Sequence, residues 1–355
     1  MALTLSSPTE HAELGFDAII DVRSPAEFAE DHLPGAINLP VLDDEERACV
    51  GTIYKQQSPF LARKIGAALV AKNAARHLEG PLAAMPGGWR PLVYCWRGGQ
   101  RSGSFATILS QVGWRVELVA GGYKAWRSLV IAALAEPPAA PVIVLDGNTG
   151  TAKTELLGLL GQHGVQVIDL EGFANHRGSL FGHMPGGQPG QKAFEGRIAT
   201  ALAALDPGRP LVVEAESSRI GGLAVPKGLW AAMAAAPRVH IRADLGARAA
   251  YLARAYADLG GDPARLAGVI DKLRPLHAAE IIDNWLALAA AGQTEALAAD
   301  LMQRHYDPRY EKHRARFARP GDTEVAADDL SPEALPALAD RIAAALPALA
   351  PQPRT

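Results

Sequence analysis

Pro91-Leu92-Val93-Tyr94-Cys95-Trp96-Arg97-Gly98-Gly99-Gln100-Arg101-Ser102 passes from an apolar run through a cysteine and two glycines into a helical pattern over 104–112. A short continuous apolar run bounded by turn residues predicts a buried strand, and the pattern behind it predicts a helix. A strand that turns directly into a helix is the unit of an α/β fold with a mostly parallel sheet. Two glycines let the turn curl until backbone N–H groups converge on one anion, and the helix N-terminus adds partial positive charge. Arg97 and Arg101 add full charges, so the loop favours the Cys95 thiolate and an oxyanion beside it. That suits sulfur, selenium or phosphoryl transfer. The five-residue separation of Cys95 and Arg101 also matches the loop of Cys-based phosphatases, and spacing alone does not separate the two chemistries.

The pattern repeats on both sides. Upstream, Asp17-Ala18-Ile19-Ile20-Asp21-Val22-Arg23 reads as a strand and Ser24-Pro25-Ala26-Glu27 as a helix start. A strand follows at 36–39 and helical patterns at 60–78; downstream come a strand at 115–119 and a turn through Gly121-Gly122 into another helix. Three prolines within 137–141 mark a linker, 135–141, between a first domain, 1–134, and a second, 142–320, with a C-terminal helix and tail at 321–355. The chain of 355 residues is long enough for two cores. With only two cysteines it has no disulfide framework or zinc-type spacing, which fits a cytoplasmic location, and Cys49 reads as a packing residue. No metal-ligand cluster is evident, no run approaches a membrane span, and no signal sequence is visible. A net charge of −3 leaves local basic faces free to bind nucleic acid.

The second domain opens on Val142-Ile143-Val144-Leu145-Asp146 and then Gly147-Asn148-Thr149-Gly150-Thr151-Ala152-Lys153-Thr154. This follows the phosphate-binding pattern G-x-x-x-x-G-K-[ST] except that Ala152 replaces the last glycine. Gly147, Asn148, Thr149, Gly150, Lys153 and Thr154 are the candidate phosphate or diphosphate ligands, and an alanine where positive φ is needed would strain the turn. Further strands are expected at 165–170, 211–216 and 238–243, with mainly helical sequence from 247 to about 302 and a last helix at 333–349. Two polar loops fall at strand ends beside the glycine-rich loop, where α/β sheets bind ligands. They make Asp169, Glu171, Asn175, His176, Arg177, Glu216, Ser218 and Arg219 candidates for one shared site.

These segments resemble the bacterial tRNA 2-selenouridine synthases, which join a rhodanese domain to a P-loop domain. The resemblance runs from Asp21-Val22-Arg23-Ser24-Pro25 to at least Arg319. It includes Asp31-His32-Leu33-Pro34-Gly35, Gly51-Thr52-Ile53-Tyr54-Lys55-Gln56, Tyr94-Cys95-Trp96-Arg97-Gly98-Gly99, Asn175-His176-Arg177-Gly178 and Ser218-Arg219-Ile220-Gly221. It implies a rhodanese-like parallel-sheet domain followed by a P-loop NTPase-like α/β domain with a helical C-terminal part. It also implies exchange of sulfur for selenium in 2-thiouridine at the tRNA wobble position, with selenophosphate as donor and an S-geranyl-2-thiouridine intermediate made from geranyl diphosphate. Cys95 would then act as a transient selenium carrier or as part of a selenophosphate pocket, with Arg97 and Arg101 on the anion. The P-loop would take the diphosphate, and Mg²⁺ there is left open. No membrane partner is implied.

For the tRNA, the segment 303–319 interleaves six Arg or Lys residues with Tyr306, Tyr310 and Phe317. Cations meet phosphates and rings stack on unpaired bases, so Arg309, Tyr310 and Arg314 are candidate contacts, as are Arg248 and Arg254. The competing readings are a persulfide or thiosulfate sulfurtransferase with a nucleotide-dependent partner domain, a non-catalytic anion- or tRNA-binding module, and a Cys-based phosphatase.

Overall fold

The computed structural model describes residues 2–314 and 322–349, the side chains of 311–314 excepted. The chain divides into two compact units. The first contains Met1–Glu136 together with Pro189–Ala204. Its five strands are all parallel, in the order Ala2–Leu3, Glu117–Val119, Pro91–Tyr94, Ala18–Asp21, Ala36–Asn38. Pro91–Tyr94 is the middle strand and is buried along its whole length, which explains its unbroken apolar sequence: in a parallel sheet covered on both faces neither side alternates to polar. Ile20, Val22, Val93, Phe105, Leu109, Trp89 and Trp114 share one core.

Local sequence sets the helices around this sheet. Pro25–Glu30 starts with a capping box between Ser24 and Glu27, and Asp43 and Glu46 form another at the start of Asp44–Gln56. Ser58 accepts from the Leu61 amide and Pro59 occupies the first turn of Pro59–Glu79, so the two helices make a hairpin with a two-residue turn. Cys49 lies exposed on the first of them and is not the packing residue expected from the sequence.

The first unit runs to Glu136 and the second begins at Pro137, and the chain returns to the first unit once more. Helix Gln191–Ala203, expected within the second unit, belongs to the first. It packs along Gly122–Ala135: Arg127 donates to the Lys192 carbonyl at 3.1 Å and pairs with Glu195, and Gly196 lies against the Trp126 ring. Periodicity identifies an amphipathic helix without saying which core its face enters.

The second unit, Pro137–Gln188 and Leu205–Thr355, has a second parallel sheet ordered Thr323–Ala327, Arg238–Ala243, Val142–Gly147, Leu211–Glu214, Gln166–Ile168. Within 322–349 the C-terminal part belongs to this fold, since Thr323–Ala327 supplies an edge strand and Leu335–Leu349 packs on Lys153–Gln162. A five-residue strand with two polar positions gives little signal. Helices from Leu245 to Leu301 gather around a separate core of Trp285, Ile282, Ile270 and Leu301. No helix among the described residues is long and apolar enough to cross a membrane.

Candidate functional site

Cys95 stands where the middle strand of the first sheet ends, and it is 3% exposed. Ser102, in the first turn of Gln100–Val112, donates its hydroxyl to the sulfur at 3.1 Å. Burial opposes ionisation of the thiol, but the Ser102 hydroxyl and amide, the Arg101 charge and the Arg97 amide outweigh it, and the thiol titrates below its ordinary range. Arg97 is exposed at the loop's rim; Arg101 is held at 2.7 Å by Glu27, which fixes its position and offsets part of its charge.

A second glycine turn supports this loop from behind. The amides of Tyr123 and Lys124 donate to the carbonyls of Cys95 and Trp96 at 2.9 and 3.0 Å. That approach needs bare backbone, because a Cβ on Gly122 would lie 2.2 Å from the Cys95 carbonyl oxygen and 2.6 Å from the Gly98 nitrogen. Gly98, Gly121 and Gly122 all have positive φ. The carbonyls thus face the Gly122 helix, while the amides of Arg97 and Ser102 serve the sulfur.

In the second unit, residues 147–154 leave the central strand and enter Lys153–Gln162. The position where the pattern has its last glycine does adopt the left-handed conformation: Ala152 has φ 58° and ψ 26°. Gly147 and Asn148, at the start of the loop, do not line the cleft that the rest of it borders. Gly147 accepts from Lys153 Nζ at 3.0 Å, and Asn148 donates to Asp307 at 3.1 Å. Thr149 to Thr154 line a cleft of about 560 Å³, which Glu171, Asn175, His176, Arg177 and Glu216 also line.

These residues do different things. Thr154 donates to Glu171 at 2.8 Å. Glu171 and Glu216 converge over Gly178, and burial together with the neighbouring carboxylates Glu171 and Glu214 pushes Glu216 well above the ordinary carboxylate range. Glu214, fully buried below them, is pushed up to about 8 by burial and by Asp169 and Glu171. Asn175 ties down the loop through the Pro185 and Gly187 carbonyls, His176 is buried against His183, and Arg177 pairs with Asp258 over the Tyr256 ring. Three expected members fall outside the cleft lining. Asp169 caps the helix Leu170–Ala174 through the Gly172 amide, and Ser218 and Arg219 sit exposed at a small hairpin, because the strand ends at Glu214 and the chain turns away.

The cleft continues into an apolar pocket of about 80 Å³. Thr149, Ser179, Leu252 and Tyr256 line both cavities, and Phe181, Leu259, Leu266, Leu297, Leu301 and Met302 form the inner walls. These side chains read in sequence as ordinary helical core, so nothing marked them as a site.

The candidate nucleic-acid contacts fare unevenly. Arg248 is buried: it makes a two-pronged pair with Asp307 at 2.9 and 2.8 Å and reaches the Thr149 carbonyl, so it braces the P-loop and cannot contact tRNA as expected. Arg254 pairs with Glu155 at the cleft edge. Tyr310 is no open stacking platform, since its ring lines the cleft 5.8 Å from Lys153 Nζ. Arg309 is exposed and donates to His305 at 3.0 Å. The side chain of Arg314 lies outside the described residues. Ser102, Glu27 and Asp307 were missed; each acts through a partner far away in sequence except Ser102, which stood in the quoted run.

Comparison with known proteins follows the same two-part division. Residues 7–129 match the rhodanese-like domain family, and residues 140–264 match the family described as the tRNA 2-selenouridine synthase AAA domain. The tRNA 2-selenouridine synthase of Aeromonas salmonicida is 35% identical over 87% of this chain and 90% of that protein. The one from Bordetella bronchiseptica is 35% identical over 89% and 95%. The one from Chromohalobacter salexigens is 40% identical over 68% of this chain and 65% of its own length. With both units matched in order and two of these relatives covered over 90% and 95% of their length, this chain belongs to the tRNA 2-selenouridine synthase family.

Proposed function

We propose that this protein modifies tRNA by exchanging the sulfur of wobble 2-thiouridine for selenium, through an S-geranyl intermediate. The observation that carries the reading is the junction of the two cavities in the second unit. One end offers P-loop amides and Lys153, which suit a diphosphate, and the other is a small apolar pocket lined by leucine, phenylalanine and methionine, which suits part of an isoprenoid chain. A nucleotide would bring a polar base into that apolar end, which favours geranyl diphosphate over a nucleotide-dependent sulfurtransferase.

In the first step the uridine sulfur attacks C1 of the geranyl group, the C1–O bond breaks, diphosphate leaves and the N3 proton passes to water. In the second, selenium of selenophosphate bonds to C2, the C2–S bond breaks and geranyl thiol departs. Hydrolysis of the P–Se bond then frees phosphate. The Cys95 loop, with Arg97 and Arg101, is the cradle assigned to the selenophosphate anion. Thr154 and Glu171, with oxygens 2.8 Å apart, would hold a Mg²⁺ entering with the diphosphate. Among the described residues no cluster of three such ligands exists, so the remaining coordination would fall to the diphosphate and water.

Nucleoside analysis of 2-thiouridine tRNA incubated with geranyl diphosphate and selenophosphate tests this division. Lys153→Ala is expected to lose the geranylated nucleoside, and Cys95→Ser to accumulate it without 2-selenouridine. Full selenation by Cys95→Ser, or geranylation unaffected by Lys153→Ala, overturns the corresponding half.

A further inference from the structure

The first unit carries a groove that no step above uses. It runs between helices Asp44–Gln56 and Pro59–Glu79 and ends at Gln100, Arg101 and Ser104, the start of the helix that follows Cys95. Its volume, 1110 Å³, is at or beyond the upper end of the roughly 300–1,000 Å³ of small-molecule pockets. Five of its lining residues are Arg or Lys and none is Asp or Glu, although the protein as a whole is acidic. Glu27 occupies two of those cations, Arg47 and Arg101. Lys55, Arg63 and Lys64 have no ion pair among the described residues.

Two aromatic rings accompany these charges. Tyr54 is 57% exposed and Phe60 71% exposed, the most exposed large hydrophobic side chains described, and they stand on either side of the turn joining the two helices. Unpaired cations interleaved with exposed rings are the chemistry that holds unpaired nucleotides: phosphates on the cations, bases on the rings. A purely apolar partner would leave three cations desolvated without a counter-charge.

We infer that this groove is the docking site for a single-stranded RNA loop, with Lys55, Arg63 and Lys64 on its phosphates and Tyr54 and Phe60 stacking on its bases, delivering one base to the Cys95 end. The inference rests on the reading that the Cys95 unit is where the uridine receives selenium. It moves the main RNA contact from the 303–319 segment to a surface 40 residues ahead of the cysteine.

The test uses the full chain and an anticodon stem-loop RNA containing 2-thiouridine, with binding followed by fluorescence anisotropy from low to moderate salt. K55E/R63E/K64E is expected to weaken binding at least 30-fold at low salt. It should also flatten the slope of log affinity against log salt by about 2, the loss of three single-strand phosphate contacts. Y54A/F60A is expected to weaken binding about 10-fold or more with the slope unchanged. Near-ultraviolet cross-linking of the unaltered protein to a stem-loop with 4-thiouridine beside the wobble position should place the adduct within residues 47–64. Wild-type affinity and slope in both variants, or adducts confined to the second unit, overturn the inference. So does a wild-type dimer that the same variants dissociate, because the groove's occupant would then be a second copy. Cys95→Ser separates the two levels. If it still selenates, the underlying reading fails; if it does not and the groove variants bind normally, only the groove falls.

Discussion

The loops after Tyr94 and after Asp146 solve one geometric problem in opposite ways. Each leaves the central strand of a parallel sheet and feeds a glycine-containing turn into a helix. The Cys95 loop is built on glycines and a second glycine turn behind it, and it holds a buried thiol below its ordinary titration range. The P-loop uses an alanine at its left-handed position, and the carboxyls of Glu171, Glu214 and Glu216 in the same unit are pushed above the ordinary carboxylate range. One cradle contains a nucleophile and borders a basic groove. The other has no thiol of its own and opens into an apolar pocket. The two loops thus share a backbone architecture and differ in the walls around it, and a difference in chemistry would have to come from those walls.

The sharpest way to break this comparison is Gly122→Ala. Positive φ alone would cost an alanine about 1 kcal/mol, but the added Cβ would also meet backbone atoms of the Cys95 loop at 2.2 and 2.6 Å, which cannot swing aside as a side chain would. The loop must move. Selenation is expected to fall about 100-fold and the first unit to lose about 2–4 kcal/mol, while geranylation stays within twofold of wild type. Equal loss of both steps in nucleoside analysis would mean that the two cradles do not work separately.

Glu214 sharpens the electrostatic side. Its folded pKa of about 8 lies above the ordinary 4.5, so the folded state holds a proton that the unfolded chain releases. The stability this gives is complete below pH 4.5 and is lost as pH rises through 8, at about 1.4 kcal/mol per pH unit in between. Glu214→Gln keeps an oxygen for the Glu171 amide, which donates at 2.8 Å, and carries no charge. Urea unfolding between pH 6 and 9 is expected to show the wild type losing stability relative to the variant by that slope up to about pH 8 and levelling off above it. Parallel curves would place the proton elsewhere in the carboxylate group.

How far the sequence carried this picture depends on the range of each signal. The two strand–loop–helix units and their glycines were legible because everything they need lies within about ten residues, and the Ser24–Glu27 cap likewise. The excursion of Gln191–Ala203 into the first unit, the edge strand Thr323–Ala327 and the pairing of Arg248 with Asp307 were not, since each depends on a partner 59 or more residues away. Arg248 shows the cost of reading charge without burial: an arginine on a helix looks like a phosphate contact until an aspartate claims both of its prongs. The apolar pocket was hidden for the opposite reason, because residues lining a pocket and residues filling a core have the same periodicity.

The smallest effect probes the one irregularity the sequence did expose. Ala152 is one of two non-glycine residues with positive φ among those described, and it is 2% exposed. Its methyl group belongs to the core beside Leu156 and Val212, so the position has two opposing requirements. Glycine would relieve a left-handed strain of about 1 kcal/mol but would remove a buried methyl and free the unfolded chain, effects of similar size. Ala152→Gly is therefore expected to leave the stability of the second unit within about 0.5 kcal/mol of wild type in urea unfolding. Its effect on the ligand should be equally small, because the methyl belongs to the core: affinity for inorganic diphosphate should stay within about twofold of wild type. A larger loss of stability would make the methyl's packing, rather than any demand of the ligand, the reason this loop departs from glycine where the Cys95 loop keeps it.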